Sequence, residues 1–155
     1  MNKNYINIYN NLVNLTRNKD LYKGFKNKDT FSDRLIFFLL HFAFFLKIYK
    51  ENNKKELLQE IYDYIFRQIE LSVREIGYGD QSINKKMKDY LNLLYAMIDK
   101  IHNWDDLNKE SKNEVLSIFV DNVENTYYLT EYFEKFEVIL LNNTLNSFIK
   151  GVIKH

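Results

Sequence analysis

Between Arg74 and Lys88 the chain reads REIGYGDQSINKKMK, a spacing that suits anion binding. Gly77 and Gly79 stop one amphipathic helix, Asp80 sits in the turn after it, and Lys85, Lys86 and Lys88 open the next helix near residue 83. The start of a helix carries partial positive charge, so each cation in its first turn costs roughly 0.3–1 kcal/mol. Local rules are broken mainly at sites of function. Free N–H groups beside three lysines would form a corner for a phosphate or carboxylate. The competing reading is a solvated face on which Glu75 and Asp80 neutralise the lysines.

The remaining inventory is poor in catalytic groups. There are no cysteines, which excludes a disulfide scaffold, a thiolate metal site and a cysteine nucleophile. Of the three histidines, His41 lies in an apolar run, and its i+3 and i+4 neighbours are Phe44 and Phe45, not second metal ligands. A core histidine bonded to a polar neighbour fits better. Neither a nucleophile elbow, a paired-histidine zinc motif nor a phosphate-binding loop occurs. The expectation is therefore no enzyme, no metal, no cofactor and no small-molecule substrate.

The elements that would position these groups are helical. The chain has 155 residues, no proline and four glycines, which favours helices joined by short turns within one domain, residues 1–155. Six helices follow from the periodicity, at about 3–18, 30–51, 54–76, 83–102, 106–124 and 130–149. The second begins at Thr30 as N-cap with Asp33 in capping-box position. Its middle, LIFFLLHFAFFL, is apolar on every side, as expected of the buried centre of a bundle or one wall of a groove. Gly77 is placed as the left-handed cap of the third helix. The fold class is all-α, a helical bundle around residues 30–51.

Charge is distributed unevenly. Residues 1–28 hold five Lys and one Arg against one Asp, whereas residues 104–140 hold nine acids against three Lys. The first end suits an anionic surface and the second does not. Nothing in the opening residues has the form of a secretory signal or transit peptide. Leu35–Leu46 is too short for the roughly 20 residues of a membrane span.

Two motifs bear a resemblance. Asp29-Thr30-Phe31-Ser32-Asp33-Arg34, then His41 seven residues on, precede Arg74-Glu75-Ile76-Gly77-Tyr78-Gly79-Asp80 and the basic Lys85-Lys86-Met87-Lys88. In order and spacing this resembles the ubiquinol–cytochrome c chaperone family, strongly from about Tyr22 to Ile101 and weakly from Leu145 to Gly151. Where relatives tend to carry Arg-Asn in the fifth helix, this chain has Asp121-Asn122. The resemblance implies an all-helical, non-enzymatic assembly factor for respiratory complex III, a chaperone of newly made cytochrome b. It also implies a small helical partner protein, contact with the ribosome, and a cytoplasmic place peripheral to the inner membrane, or on the matrix side in a eukaryote. Absence of a transit peptide and the Lys- and Asn-rich coding bias favour an alphaproteobacterial member.

The alternative of another class is a ribosome- or nucleic-acid-binding helical module without direct client contact. The net charge of +1 speaks against it, since such domains are usually basic. A third, a small-ligand or metal bundle built on His41, lacks a second ligand. Within the two motifs, Arg34 and Arg74 are expected to be structural, with at least one of them pairing with an acid of the other motif.

Overall fold

The computed structural model describes residues 5–155. Among these residues the regular structure is helical: α1 (Tyr5–Thr16), α2 (Phe31–Tyr49), α3 (Lys55–Glu75), α4 (Asp80–Ile101), α5 (Lys109–Phe119), α6 (Tyr127–Leu141) and α7 (Leu145–Lys150). Two short 3₁₀ turns, Lys19–Tyr22 and Trp104–Asp106, join them. The all-α class is confirmed. The expected start of the first helix at residue 3 lies outside the described residues.

α2 forms where its cap dictates. Asp33 N–H donates to Thr30 Oγ1 at 3.1 Å, and Thr30 N–H donates to Asp33 Oδ2 at 2.9 Å, a reciprocal capping box. From Phe37 to Phe45 every residue is buried, His41 included. α1, α4 and α6 pack around this helix, and α3 bridges α1 and α4. A helix apolar on all sides needs cover on all sides. Over residues 37–45 α2 is thus the interior of the bundle. Phe44 stacks on Phe133 of α6 at 5.1 Å and meets Trp104 edge-on at 5.0 Å. Such aromatic pairs add to simple area burial.

Three helices differ from expectation. The sixth helix is two helices, broken at Asn142-Asn143-Thr144. Thr144 caps α7 by accepting the Ser147 N–H at 3.1 Å. The Asn143 amide donates to Ile139 O and to Lys154 O, both at 2.8 Å, and its Oδ1 accepts the Lys154 N–H at 2.8 Å. Those bonds pin the C-terminal tail against the break. The fifth helix is shorter than its apolar pattern, because Asn108 caps it by accepting from Ser111 N–H at 2.8 Å and it ends at Phe119. Its buried face carries Leu116 and Phe119, whereas Ile118 stands 57% exposed. The fourth helix starts three residues early, at Asp80.

α7 docks on α1, where the Asn7 side chain donates to Ile149 O at 2.9 Å. After α5, Asn122 clamps the lysine-rich loop. Its side chain accepts the Asn27 N–H at 3.2 Å and donates to Asn27 O at 3.2 Å. Lys26 N–H donates to Asn122 O at 3.0 Å. Asn122 therefore acts as a backbone mimic, and Asp121 beside it is exposed beyond the end of α5.

Candidate anion-binding corner

The corner between α3 and α4 is made by two glycines with different tasks. α3 ends at Glu75, and Gly77 follows with φ +99°, in the left-handed region that a side chain disfavours. Its N–H donates to Arg74 O at 3.0 Å. Gly79 has an ordinary extended conformation, φ −69° and ψ 161°, and is the N-cap of α4. A serine is thus expected to act with opposite sign at the two positions. Gly77→Ser should cost about 1 kcal/mol through backbone strain. Gly79→Ser should be neutral or stabilising by a few tenths of a kcal/mol, since serine is the better N-cap. Urea midpoints of the two variants check this, and equal losses would refute the assignment of roles.

Starting α4 at Asp80 changes the electrostatics. Asp80 now occupies the first turn, where a carboxylate is favoured. Lys85, Lys86 and Lys88 become the sixth, seventh and ninth residues of the helix, beyond the reach of its terminal charge. The expected conflict between three lysines and the helix dipole therefore does not exist. At about 100° per residue the three also fan over roughly 160° of the helix surface rather than converging on one point. Lys85 and Lys88 are exposed, and Lys86 is half-buried with its Nζ 5.4 Å from the Tyr78 ring centroid, within cation–π reach. Among the described residues none of the three is within ion-pairing distance of a carboxylate.

Acids of the corner are drawn instead to Arg74. Its Nη1 lies 3.1 Å from Asp80 and its Nε 3.3 Å from Glu70, so it staples the end of α3 to the start of α4. Arg34 pairs with Asp29 at 3.1 Å, across the cap of its own helix. Each arginine thus serves its own motif, and the expected pairing across the two motifs is not seen. The reason is reach: an acid lies five or six residues away in each motif, in a turn that brings it back to the guanidinium. Glu75 is exposed, as are Ile76 and Tyr78 at the tip. The corner therefore presents three uncompensated cations beside exposed apolar side chains.

His41, by contrast, is fully buried. Its Nδ1 is 2.6 Å from Phe37 O, and its Nε2 is 2.7 Å from the Tyr132 hydroxyl. A carbonyl only accepts, so Nδ1 carries the proton and Nε2 accepts from tyrosine. Burial holds the ring neutral and pushes its pKa down to about 4. The one lone pair of the ring is taken by Tyr132, which leaves none for a metal.

Two polar residues went unnoticed in the sequence. Tyr132 reads as one more core aromatic, yet it supplies the partner of His41. Lys47 on α2 donates to Glu137 of α6 and to Asp105, each at 2.9 Å, with Lys47 and Glu137 side chains only 12% exposed. A signal existed: Lys47 is the lone charged residue between Arg34 and Lys50. A cation in so apolar a helix needs a carboxylate from elsewhere.

Residues 23–103 match the sequence model of the family described as ubiquinol-cytochrome C chaperone. That span is more than half of the 155 residues and contains both motifs, α2, α3 and α4. The chain belongs to this family. The chain also shares its fold with the crystal structure of the Cbp3 homolog from Brucella abortus, with a TM-score of 0.75 and 24% identity. That superposition covers 97% of this chaperone and 87% of the Brucella chain. No curated protein matches the chaperone in sequence. His41 lies inside the family span while its partner Tyr132 lies outside it. No helix among the described residues is long and apolar enough to cross a membrane.

Proposed function

We propose that this chaperone binds newly made cytochrome b and promotes assembly of the ubiquinol–cytochrome c reductase complex, without catalysing a reaction. The observation that carries the reading is the family match over residues 23–103, which takes in both motifs and the helix between them. The reading also accords with the chemistry of the surface. Cytochrome b is an integral membrane protein, and its apolar segments need cover before insertion. Because the middle of α2 is interior, apolar side chains open to a client stand on the surface, among them Leu71 on α3 and Ile76 and Tyr78 at the basic corner. The test is recovery of partners with a tagged chaperone from membranes of its own host. Cytochrome b among them is the expected result; ribosomal proteins without cytochrome b would favour the ribosome-binding alternative instead.

Lys85, Lys86 and Lys88 form the proposed contact with an anionic partner surface, ribosomal RNA or lipid head groups, both of which are read largely as charge. Replacing all three by glutamine should cost no more than about 1 kcal/mol, because Lys85 and Lys88 are exposed charges outside the first helical turn and Lys86 loses only its contact with the Tyr78 ring. Binding to ribosomes or to vesicles rich in anionic lipid should weaken, most at low ionic strength. Co-sedimentation across a salt series measures this. A triple variant that sediments like its parent at every salt concentration would show the lysines to be a solvated face.

A further inference from the structure

A cleft of about 240 Å³ opens between α1, α2 and α3, and none of the lysines of the corner lines it. Val13 on α1, Phe31, Leu35 and Phe38 on α2, and Ile69 on α3 make its apolar floor. Two guanidinium groups, Arg17 and Arg34, stand in its wall, and no acidic residue among the described ones lines it. Arg34 is already paired with Asp29. Among the described residues Arg17 has only a neutral acceptor, Asn14 Oδ1, at 3.4 Å. The cleft therefore keeps one uncompensated cation beside an apolar chamber.

The hydroxyl groups in the wall are otherwise engaged. Thr16 donates to Val13 O at 2.6 Å, and Ser72 donates to Gln68 O at 3.1 Å. With its proton so used, Ser72 Oγ can only accept, so the Tyr9 hydroxyl at 3.1 Å donates to it. No neutral donor in the wall is left for a polar ligand. What the site can still satisfy is an apolar body and a single negative charge. At about 30 Å³ for each water-sized group, the chamber takes a chain of roughly eight such groups. Other clefts differ in kind: the one between the loop at Lys23 and α6 is lined by Asp20, Glu131, Lys23 and Lys135, charges of both signs.

We propose that this cleft is a binding site for a single acyl chain ending in an anionic group, a carboxylate or a phosphate, with the chain on the apolar floor and the anion on Arg17. The site is independent of the client reading above. Its probes are decanoate, decyl phosphate and decanol, titrated calorimetrically into the full chain below their aggregation concentrations. At least one anion should bind about ten- to a hundred-fold more tightly than decanol, the contribution of a charge-assisted hydrogen bond. The tighter of the two identifies the head group. Arg17→Gln, at an exposed position, should keep decanol binding and abolish the preference for the anion. Val13→Trp should fill the chamber and block all three; if it fails to fold, the Arg17→Gln comparison decides alone. Decanol binding as tightly as both anions, no binding at all, an anion preference that survives Arg17→Gln, or binding undiminished in a folded Val13→Trp would each overturn the proposal.

Discussion

Lys47→Met is expected to lower the unfolding free energy by on the order of 3 kcal/mol at pH 7, because it strands a carboxylate in a place water hardly reaches. Glu137 keeps only 12% of its side chain exposed, and Lys47 is its cationic partner. For a domain of this size the midpoint of thermal unfolding should fall by roughly 6–12 °C. Burial, and then the neighbouring Asp105, already push the Glu137 pKa upward against the pull of Lys47. Without the lysine it should rise further, so the loss should shrink as the pH is lowered and the carboxylate takes up a proton. The double variant Lys47→Met with Glu137→Leu should regain most of the stability, since it leaves no buried charge unpaired. A double variant as unstable as Lys47→Met alone would mean that packing, not charge, carries the effect.

The second large effect is tied to His41 and to pH. Its pKa is about 4 in the folded chain and 6.5 when unfolded. Between those values the unfolded state binds a proton that the native state refuses. The stability from burying the neutral ring is therefore complete above pH 6.5 and is lost progressively as the pH falls toward 4. The gap in pKa corresponds to roughly 3 kcal/mol over that window. His41→Leu should be less stable than the parent at pH 7 by about 1–3 kcal/mol, because Phe37 O and the half-buried Tyr132 hydroxyl each lose a partner. The deficit should narrow between pH 6.5 and 4, as the parent alone bears the cost of the proton. Urea unfolding of both proteins at half-unit pH steps measures it. A constant difference across the range would show that His41 does not titrate with folding.

Local chemistry explains why so much was legible. The start of α2 depends on two residues three apart that satisfy each other's backbone, and Thr30 and Asp33 do so as the spacing requires. The burial of α2 depends on its apolar character on every side, which no surface helix could sustain. Gly77 with its positive φ, the need of a buried His41 for some polar partner and the motifs of the family rest likewise on residues adjacent in sequence or on simple rules of burial.

Where the decision was tertiary, the sequence was silent or pointed elsewhere. Apolar periodicity runs across Asn142–Thr144 without interruption, and the helix breaks there because Asn143 pairs with Lys154 of the returning tail. The pattern at Ile118 suits a buried face, yet the end of α5 turns that face to solvent. The site was affected in the same way. A start of α4 at Asp80 instead of residue 83 removed the dipole conflict that had singled out the lysines, while leaving them without acid partners. Lys47 and Glu137 are 90 residues apart, and the cleft at Arg17 draws its walls from three helices. A capping box, a left-handed glycine and a helix apolar on every side are settled by residues within a turn or two of one another, within reach of a sequence pattern. Ion pairs and clefts are settled by which helices pack side by side, and that depends on the joint burial of all of them at once.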